Sequence, residues 1–460
     1  MMIGRVRLLL AAIAFLKRHA LLGVGRTLRS YKTLIPVAVE YKHGLDTGTN
    51  ATAMEAMHAR NAPRVLAMIH NLKGLYTKVG QVLSVRTDEL PAAYVAELST
   101  LQDALPPRPF RGVRAQVRRT LGRTARNLTL ADGPPLGVAS IGQVHRARFG
   151  GRDVCVKVQD ERCRRQFKSD MAGCRVFCQL FSPGYLAMLD EIRRQFDTEF
   201  DYRHEAANLD EIRANLEARR ERRVVVPKSV PALVTRTVLG MEFLRGPTLL
   251  SYAKRRVAAI ERLPFFLRAV PYAFLRLELG RFYRVLVEVH GAQLLLDGCF
   301  NGDPHPGNIL KSPDGTLGLI DYGQVKRIDD VMRRRLCLLI VALADDDEDA
   351  VVDAFVATGF RTRDMNRTVI AKYAHLWFNR DDRRSTDGME PMKYYDELNL
   401  ADPTVAVPEQ LILASRMTWL LRCFGQAIGV RDVRLAREFR ATALAALRTP
   451  VMLALGPAPP

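Results

Sequence analysis

The most constraining feature of this 460-residue chain is a short polar loop that is followed by a second acidic motif. Residues 301–308 read N-G-D-P-H-P-G-N, which places Asp303 and Asn308 five positions apart, and Asp321 then opens a D-Y-G triplet after an apolar run. An aspartate that accepts a hydroxyl proton, with an amide and a carboxylate that bind Mg²⁺, is what phosphoryl transfer requires. The pattern predicts such a site, whereas a Pro/Gly-rich turn with hydrogen-bonding Asp and Asn is the structural alternative.

Upstream motifs occur in the order found in protein kinases. Residues 137–144 have the spacing G-x-A-x-x-G-x-V, a glycine-rich loop with alanine at its centre. Lys157 lies within the apolar run 154–158, where it either points to solvent from an edge strand or contacts nucleotide phosphates. The acids at 199, 201 and 205 lie on a predicted helix, where they form either a solvated face or the partners of a lysine and a metal.

The net charge of the chain limits the classes of partner that it is expected to bind. The chain has 69 Lys and Arg against 49 Asp and Glu, a formal charge of +20, but it carries no aromatic-studded basic stretch or zinc pattern. We therefore expect no nucleic-acid partner and favour phosphate-bearing ligands and an anionic membrane lipid surface. The first 39 residues hold seven basic and no acidic residues, which predicts an organelle-targeting segment or an interfacial amphipathic helix.

Cysteine usage argues against a protein held together by disulfides, and the length of the apolar runs excludes a membrane-spanning helical bundle. The seven cysteines are odd in number and scattered, which predicts buried thiols in a reducing compartment and no disulfide framework. The longest apolar runs, 8–16 and 336–344, are shorter than the roughly 18–20 residues that a membrane-spanning helix needs.

Together with these motifs, K-x-G-Q at residues 78–81 and S-I-G-Q-V at 140–144 make the chain resemble the UbiB family of atypical protein-kinase-like proteins over about residues 50–430. The resemblance implies an α+β, bilobal protein-kinase-like fold, with a small α/β N-lobe, a helical C-lobe and an N-terminal helical extension packed over the active site. We expect four parts: a basic targeting or membrane-associating segment, the helical extension, the N-lobe and the C-lobe, at residues 1–50, 51–134, 135–245 and 246–460.

The resemblance also implies roles for individual residues. Lys157 and Glu205 would form the ion pair, and Asp303 would be the catalytic-loop aspartate, while Lys78 and Gln81 would enter the active site as further catalytic residues. The expected nucleotide-binding residues are Lys157, the loop residues and two hinge residues: Gly137, Val138, Ala139, Ser140, Gly142, Val144, Glu242 and Leu244. The expected metal ligands are Asn308 and Asp321, with Glu199 and Asp201 as further candidates.

The function implied is that of an atypical kinase or ATPase that uses ATP and Mg²⁺ at an organelle membrane and supports isoprenoid quinone biosynthesis, of the ubiquinone type, or related lipid metabolism. Quinone precursors or biosynthetic enzymes would be partners, and the location would be mitochondrial or, alternatively, plastid. Two alternatives stay open: a small-molecule phosphotransferase of the aminoglycoside or choline kinase type, in which K-x-G-Q is not expected, and a nucleotide- and lipid-binding pseudokinase scaffold.

Two departures from the family pattern change the expectations. The loop that is commonly A-A-A-S reads G-V-A-S at 137–140, and added flexibility at Gly137 would alter nucleotide preference. Asn301-Gly302 replaces His-Ala before the catalytic loop, and we expect this loop to lose a residue that braces it. His305, between two prolines, is interpreted as structural.

Overall fold

The computed structural model describes residues 24–83, 90–102, 107–138, 141–181, 184, 186, 189–190, 193, 199–430 and 433–448. They form two compact units. The N-terminal unit contains the described residues up to His204 and the segment Val230–Glu242, and the C-terminal unit contains Glu205–Ser229 and the chain from Phe243 onward. The four-part division at 50, 134 and 245 stays a prediction.

The N-terminal unit is built on an antiparallel sheet. Its strands are β1 (Leu128–Leu130), β2 (Gly137–Val138), β3 (Gly142–Phe149), β4 (Arg152–Gln159) and β6 (Val238–Glu242), in the order β1-β3-β4-β6 with β2 also pairing with β3. Helix α5 (Phe110–Leu121) covers the sheet with Val113, Val117 and Leu121, which lie four residues apart and therefore share one helix face. They meet the buried valines of β4.

Five helices accompany this sheet in the described part of the unit: α1 (Val24–Asp46), α2 (Ala51–Leu72), α3 (Leu75–Leu83), α4 (Ala92–Ser99) and α6 (Glu161–Phe181). A second core joins α2, α3 and α4 through Ile69, Tyr76 and Leu98. Helix α1 is fastened to α6 by a salt bridge of 2.7 Å between Arg26 and Asp170, whose carboxylate is fully buried.

The C-terminal unit is mainly helical. Helix α7 (Tyr202–Ala218) begins at the end of the N-terminal unit and continues into this one. The other helices are α8 (Leu249–Glu261), α9 (Ala269–Ala292), α10 (Asp330–Ala344), α11 (Glu348–Ala357), α12 (Arg367–Phe378), α13 (Pro391–Ala401), α14 (Glu409–Ala427) and α15 (Leu435–Arg448). Leu336 and Ile340 of α10 and Phe439 of α15 are fully buried in its core.

Short strands of the C-terminal unit position the polar loop. Strands β5 (Val224–Val225), β8 (Ile309–Lys311) and β9 (Leu317–Leu319) form one small sheet in the order β5-β9-β8. Strands β7 (Cys299–Asn301) and β10 (Val325–Arg327) form a second, and β11 (Arg361–Thr362) and β12 (Thr404–Ala406) a third. The polar loop thus begins where β7 ends and leads into β8.

All seven cysteines are free thiols in this structure. Burial raises the pKa of Cys155 and of Cys174 to about 12, so both remain protonated at neutral pH. Within the described part of the chain, no helix combines the length and the apolar character needed to cross a bilayer.

Candidate functional site

Asp303, Asn308 and Asp321 line one pocket of the C-terminal unit, with His290 of α9. Asp303 lies two residues beyond the end of β7, and a 3₁₀ turn over Pro306–Asn308 carries Asn308 to the start of β8. Asp321 lies just beyond β9, the antiparallel partner of β8. Because β8 and β9 are paired, residues at the start of one strand and just past the end of the other lie at the same edge of the small sheet.

Asn301 connects the two parts of this pocket. Its Nδ2 donates a hydrogen bond of 3.0 Å to the backbone carbonyl of Asp321, and its Oδ1 accepts one of 2.9 Å from the backbone N–H of Asp303. The expectation that Asn301 leaves the catalytic loop without a brace is therefore wrong. The reason is that an amide side chain donates and accepts at once.

Gln293 holds Asn301 in place through a backbone hydrogen bond. Its Oε1 accepts from the backbone N–H of Asn301 at 3.3 Å, and its Nε2 donates to the hydroxyl of Tyr322 at 3.2 Å. Gln293 is fully buried and opens a short π-helical turn, Gln293–Asp297, a distortion that is frequent at functional sites. No sequence motif marks Gln293, and the prediction missed it.

The D-Y-G triplet is held by its own turn and by α7. Oδ1 of Asp321 accepts from the backbone N–H of Gly323 at 3.0 Å. Nδ2 of Asn208 donates to the carbonyl of Tyr322 at 3.0 Å. Glu205, which is buried, has its carboxyl carbon 3.9 Å from the position that a Cβ on Gly323 would take. The structure thus brings the predicted Glu205 beside the predicted metal ligand Asp321.

His290 is the second residue that sequence reasoning missed. Its Nδ1 donates to the carbonyl of Leu286 at 2.8 Å, and burial lowers its pKa to about 4, so the ring is neutral at pH 7. His305, by contrast, is exposed, and its Nδ1 accepts from the backbone N–H of Gly307 at 3.0 Å, which caps the 3₁₀ turn. This contact agrees with the structural role interpreted for His305.

Lys157 lies on an interior strand of the N-terminal unit. Strand β4 pairs with β3 through Val144 and with β6 through Leu239 at the position of Lys157, so the edge-strand alternative is wrong. The residue is only 8% exposed, and its Nζ lies 5.4 Å from the ring centroid of Tyr202, within reach of a cation–π interaction. A buried ammonium on an interior strand requires a polar environment, as the functional interpretation assumes.

The glycine-rich loop connects β2 to β3. Gly137 and Val138 pair with Val144 and Gln143, while Ala139 and Ser140 lie outside the described residues. A Cβ on Gly142 would lie 2.7 Å from the carbonyl oxygen of Val158, so packing against β4 already demands glycine there. Nothing lies within 4 Å of a Cβ built on Gly137.

Asp201 has an arginine partner in this structure. Both of its oxygens accept hydrogen bonds from Arg203, at 2.9 and 2.6 Å, and this contact lowers its pKa to about 2. Nε of Arg236 lies 4.0 Å from the same carboxylate. The carboxylate of Asp201 is therefore already paired with arginine. Its role as a metal ligand stays a prediction, as does that of the half-buried Glu199.

The structure describes the remaining predicted site residues only in part. The backbone of Lys78 and Gln81 lies in α3, and their side chains lie outside the described residues. Glu242 is exposed at the end of β6, directly before the chain enters the C-terminal unit. Leu244 is half-buried in that unit and packs on Gly318 of β9, whose Cβ position it approaches to 3.0 Å.

The donors in the pocket suit Mg²⁺. Asp303, Asn308 and Asp321 offer two carboxylates and one amide, whose oxygens this cation prefers, and the imidazoles of His290 and His305 also line the pocket. Among the described residues, no group of three or more His, Cys, Asp or Glu side chains forms a metal cage. Mg²⁺ that is shared with substrate phosphates needs only one or two protein carboxylates, so the donor set fits such a site.

Comparison with known proteins identifies the domain. A family model described as the ABC1 atypical kinase-like domain matches residues 100–355, more than half of the chain, and confirms the kinase-like fold that the motifs predict. The matched range contains Lys157, Glu205, Asp303, Asn308 and Asp321.

Similar proteins come from several organisms. The Arabidopsis thaliana protein ACTIVITY OF BC1 COMPLEX KINASE 8, chloroplastic, is 31% identical over 67% of this chain and 40% of its own length. The probable serine/threonine-protein kinase abkB of Dictyostelium discoideum is 24% identical over 88% of this chain and 61% of its own length. The solved complex of Rv3197 with erythromycin from Mycobacterium tuberculosis is 22% identical over 87% of this chain and 99% of that one, with a TM-score of 0.48. The chain spans about half the length of the curated relatives it matches.

Proposed function

The chain belongs to the ABC1 atypical kinase-like family, and on this premise we propose that it binds ATP with Mg²⁺ and transfers the γ-phosphoryl group to an acceptor or to water. The observation that carries the proposal is the Asn301-braced loop, which holds Asp303, Asn308 and Asp321 around one pocket. Phosphoryl transfer needs positioning and charge neutralisation more than covalent chemistry. This arrangement supports the positioning, and its oxygen donors would hold the Mg²⁺ that neutralises charge.

Each residue of the pocket has a role in the proposal. Asn308 and Asp321 would hold Mg²⁺, which neutralises charge on the phosphates when it is bound. Asp303, held through its own backbone N–H, accepts the proton of the attacking hydroxyl or water. Neutral His290 lines the same pocket without adding positive charge next to Asp303.

Lys157 and the loop residues supply the nucleotide contacts in this proposal. The buried ammonium of Lys157 would contact the α- and β-phosphates, and the β2–β3 turn at Gly137–Gly142 would lie along them. Glu205 is buried beside Gly323, and the family resemblance implies that it pairs with Lys157. Glu242 and Leu244 would meet the adenine.

The wider role follows from the family resemblance. We propose that the activity supports isoprenoid quinone or related lipid metabolism at a membrane, with quinone precursors or biosynthetic enzymes as partners. Three Arabidopsis relatives carry the word chloroplastic in their names, which favours the plastid alternative over a mitochondrial location.

The test is Mg²⁺-dependent nucleotide binding and turnover by the whole chain. We expect Lys157→Ala and Asp321→Asn each to weaken MgATP binding at least about tenfold, because each removes a charge that faces phosphate or metal. Lys168→Ala, an exposed lysine on α6, is the matched control and should leave binding unchanged.

Two results would count against the proposal. MgATP that does not bind the wild-type protein, or that binds the Lys157→Ala and Asp321→Asn variants as tightly as wild type, refutes the nucleotide site. Stoichiometric phosphorylation of an alcohol-bearing metabolite, in place of ATP hydrolysis, would leave phosphoryl transfer standing and would select the small-molecule phosphotransferase alternative.

A further inference from the structure

An apolar turn of the C-terminal unit projects into solvent between α8 and α9. A 3₁₀ turn over Phe265–Leu267 exposes 81% of Phe265 and 69% of Phe266. The first turns of α9 continue this surface with further exposed residues: Val270, Tyr272, Phe274 and Leu277. Large apolar side chains scattered singly on a surface need no explanation, but a contiguous group of this kind marks an interaction site.

The turn is an ordered element. Nε and Nη2 of Arg268 donate to the carbonyls of Leu263 and Glu261, at 2.8 and 2.7 Å, and so satisfy carbonyls at the end of α8. The rings of Phe265 and Phe266 contact each other edge to face, with centroids 5.6 Å apart. Because hydrogen bonds hold the turn, its phenylalanines are presented in a defined arrangement.

Helix α9 is apolar on two faces, of which its own unit covers one. Leu275, Leu279 and Tyr283, at four-residue intervals, are buried. Val270, Phe274 and Leu277 recur at intervals of four and three residues on another face and are exposed. Its own unit leaves this second apolar face uncovered, so the face calls for a partner.

Basic residues surround this apolar surface. Residues 249–284 contain eight Lys and Arg but only two acidic residues, Glu261 and Glu278. Glu278 accepts a hydrogen bond from the hydroxyl of Tyr252 at 2.7 Å and lies 3.8 Å from Nζ of Lys311, so its charge is compensated. Four exposed basic residues of α8 and the residue after it form no ion pair with an acidic side chain of the described residues: Lys254, Arg255, Arg256 and Arg262.

We propose that this surface docks onto an anionic lipid bilayer. The docking surface is defined as the apolar residues of Leu263–Leu277 with the four basic residues just named. Exposed aromatic and aliphatic side chains favour the boundary between headgroups and acyl chains, and neighbouring Lys and Arg bind anionic headgroups. An uncharged apolar groove on a protein would leave the four cations without counter-ions, whereas an anionic headgroup layer neutralises them. The inference deepens the proposed function and rests on its membrane partner.

The experiment is co-sedimentation of the full chain with phosphatidylcholine vesicles that contain or lack cardiolipin. Wild type should bind the cardiolipin vesicles, and added salt should weaken that binding. The variant Phe265→Ser, Phe266→Ser should bind them about tenfold or more weakly, because two exposed rings no longer enter the bilayer. The variant Lys254→Gln, Arg255→Gln, Arg256→Gln should lose a similar factor and most of the salt dependence.

Two matched controls distinguish binding through this surface from nonspecific apolar binding and from attraction by net charge. Leu400→Ser, Val405→Ser removes two exposed apolar residues elsewhere in the same unit and should leave vesicle binding unchanged. Arg111→Gln, Arg114→Gln, Arg118→Gln removes three exposed charges from α5 of the N-terminal unit. If this second control weakens binding as much as the α8 variant does, net charge alone attracts the vesicles and the docking surface is refuted.

A fluorescent reporter tests insertion directly. Phe265→Trp should show a blue-shifted emission on addition of cardiolipin vesicles, whereas Leu400→Trp should not. Absence of the shift overturns the proposal, as does a concentration-dependent dimer that the Phe265→Ser, Phe266→Ser variant abolishes. MgATP turnover without vesicles should match wild type in every variant. A wild-type protein that turns over MgATP but does not bind the cardiolipin vesicles refutes the docking surface and leaves the proposed phosphoryl transfer standing.

Discussion

The side chain of Asn301 donates a hydrogen bond of 3.0 Å to the backbone carbonyl of Asp321. The same amide accepts from the backbone N–H of Asp303 at 2.9 Å, so one residue sets the separation of the predicted proton acceptor and the predicted metal ligand. Asn301 is itself buried and held by Gln293, which limits the positions it can take. A rigid connection of this kind is what a site that works by positioning requires.

Asn301→Ala should therefore affect both stability and turnover. Loss of the amide leaves a buried N–H and a carbonyl without partners, which costs about 1–3 kcal/mol of unfolding free energy. Turnover of MgATP per folded molecule should fall by roughly tenfold to a hundredfold, because Asp303 and Asp321 lose their common support. Urea unfolding followed by the fluorescence of Trp377 and Trp419, both in the C-terminal unit, measures the first effect, and steady-state kinetics the second.

Asn366→Ala is the matched control for this prediction. Asn366 caps α12 by accepting from the backbone N–H groups of Thr368 and Val369, so its removal should cost about 1 kcal/mol without an effect on turnover. Equal loss of turnover in the two variants would show that reduced stability alone explains the result for Asn301.

His290 should make the C-terminal unit sensitive to mild acid. Its folded pKa of about 4 lies below the value of about 6.5 expected in the unfolded chain, so the unfolded state takes up the proton first. The stability that neutral His290 supplies is complete above pH ~6.5 and decreases as the pH falls towards 4, by about 3 kcal/mol at most. Urea unfolding at pH 7 and near pH 4 should show this loss in wild type and in the exposed control His43→Gln, and a smaller loss in His290→Gln.

The ion pair between Arg26 and Asp170 should be costly to break from one side only. Arg26→Ala leaves a carboxylate without its partner in a fully buried position, which should destabilise the N-terminal unit by about 3–5 kcal/mol. The double variant Arg26→Met, Asp170→Leu removes both charges and should lie much closer to wild type. Hydrogen exchange of the α6 amides measures the effect, and equal exchange in the single and double variants would contradict it.

Local motifs in the sequence predict the polar loop, the D-Y-G triplet and Lys157 because each is a short pattern whose chemistry depends on neighbours in the chain. The interior position of β4 is different, since it requires pairing with β6, some eighty residues further on. An isolated apolar strand with one lysine has the same pattern at an edge or in the interior, so the sequence left both interpretations of Lys157 open.

Asn301, Gln293 and His290 show why parts of the pocket escape prediction. Their roles arise from hydrogen bonds and burial set by how α9, the π-helical turn and the two small sheets fold together. The exposed apolar face of α9 has the same origin. Hydrophobic periodicity identifies apolar faces, but which of two faces the rest of the unit covers depends on tertiary packing.

Substitutions at Asp303 and His305 should distinguish a role in the chemical step from a role in holding the polar loop. Asp303→Asn removes the proton acceptor of the proposed mechanism and should lower MgATP turnover about a hundredfold or more, while nucleotide affinity, measured by calorimetry, stays within a few-fold of wild type. His305 is exposed and caps one 3₁₀ turn, so His305→Ala should reduce turnover only slightly. If the two variants have equal turnover, or if Asp303→Asn loses nucleotide binding to the same degree as Asp321→Asn, then Asp303 does not act on the attacking group, and the proton must go to water or to the phosphate itself.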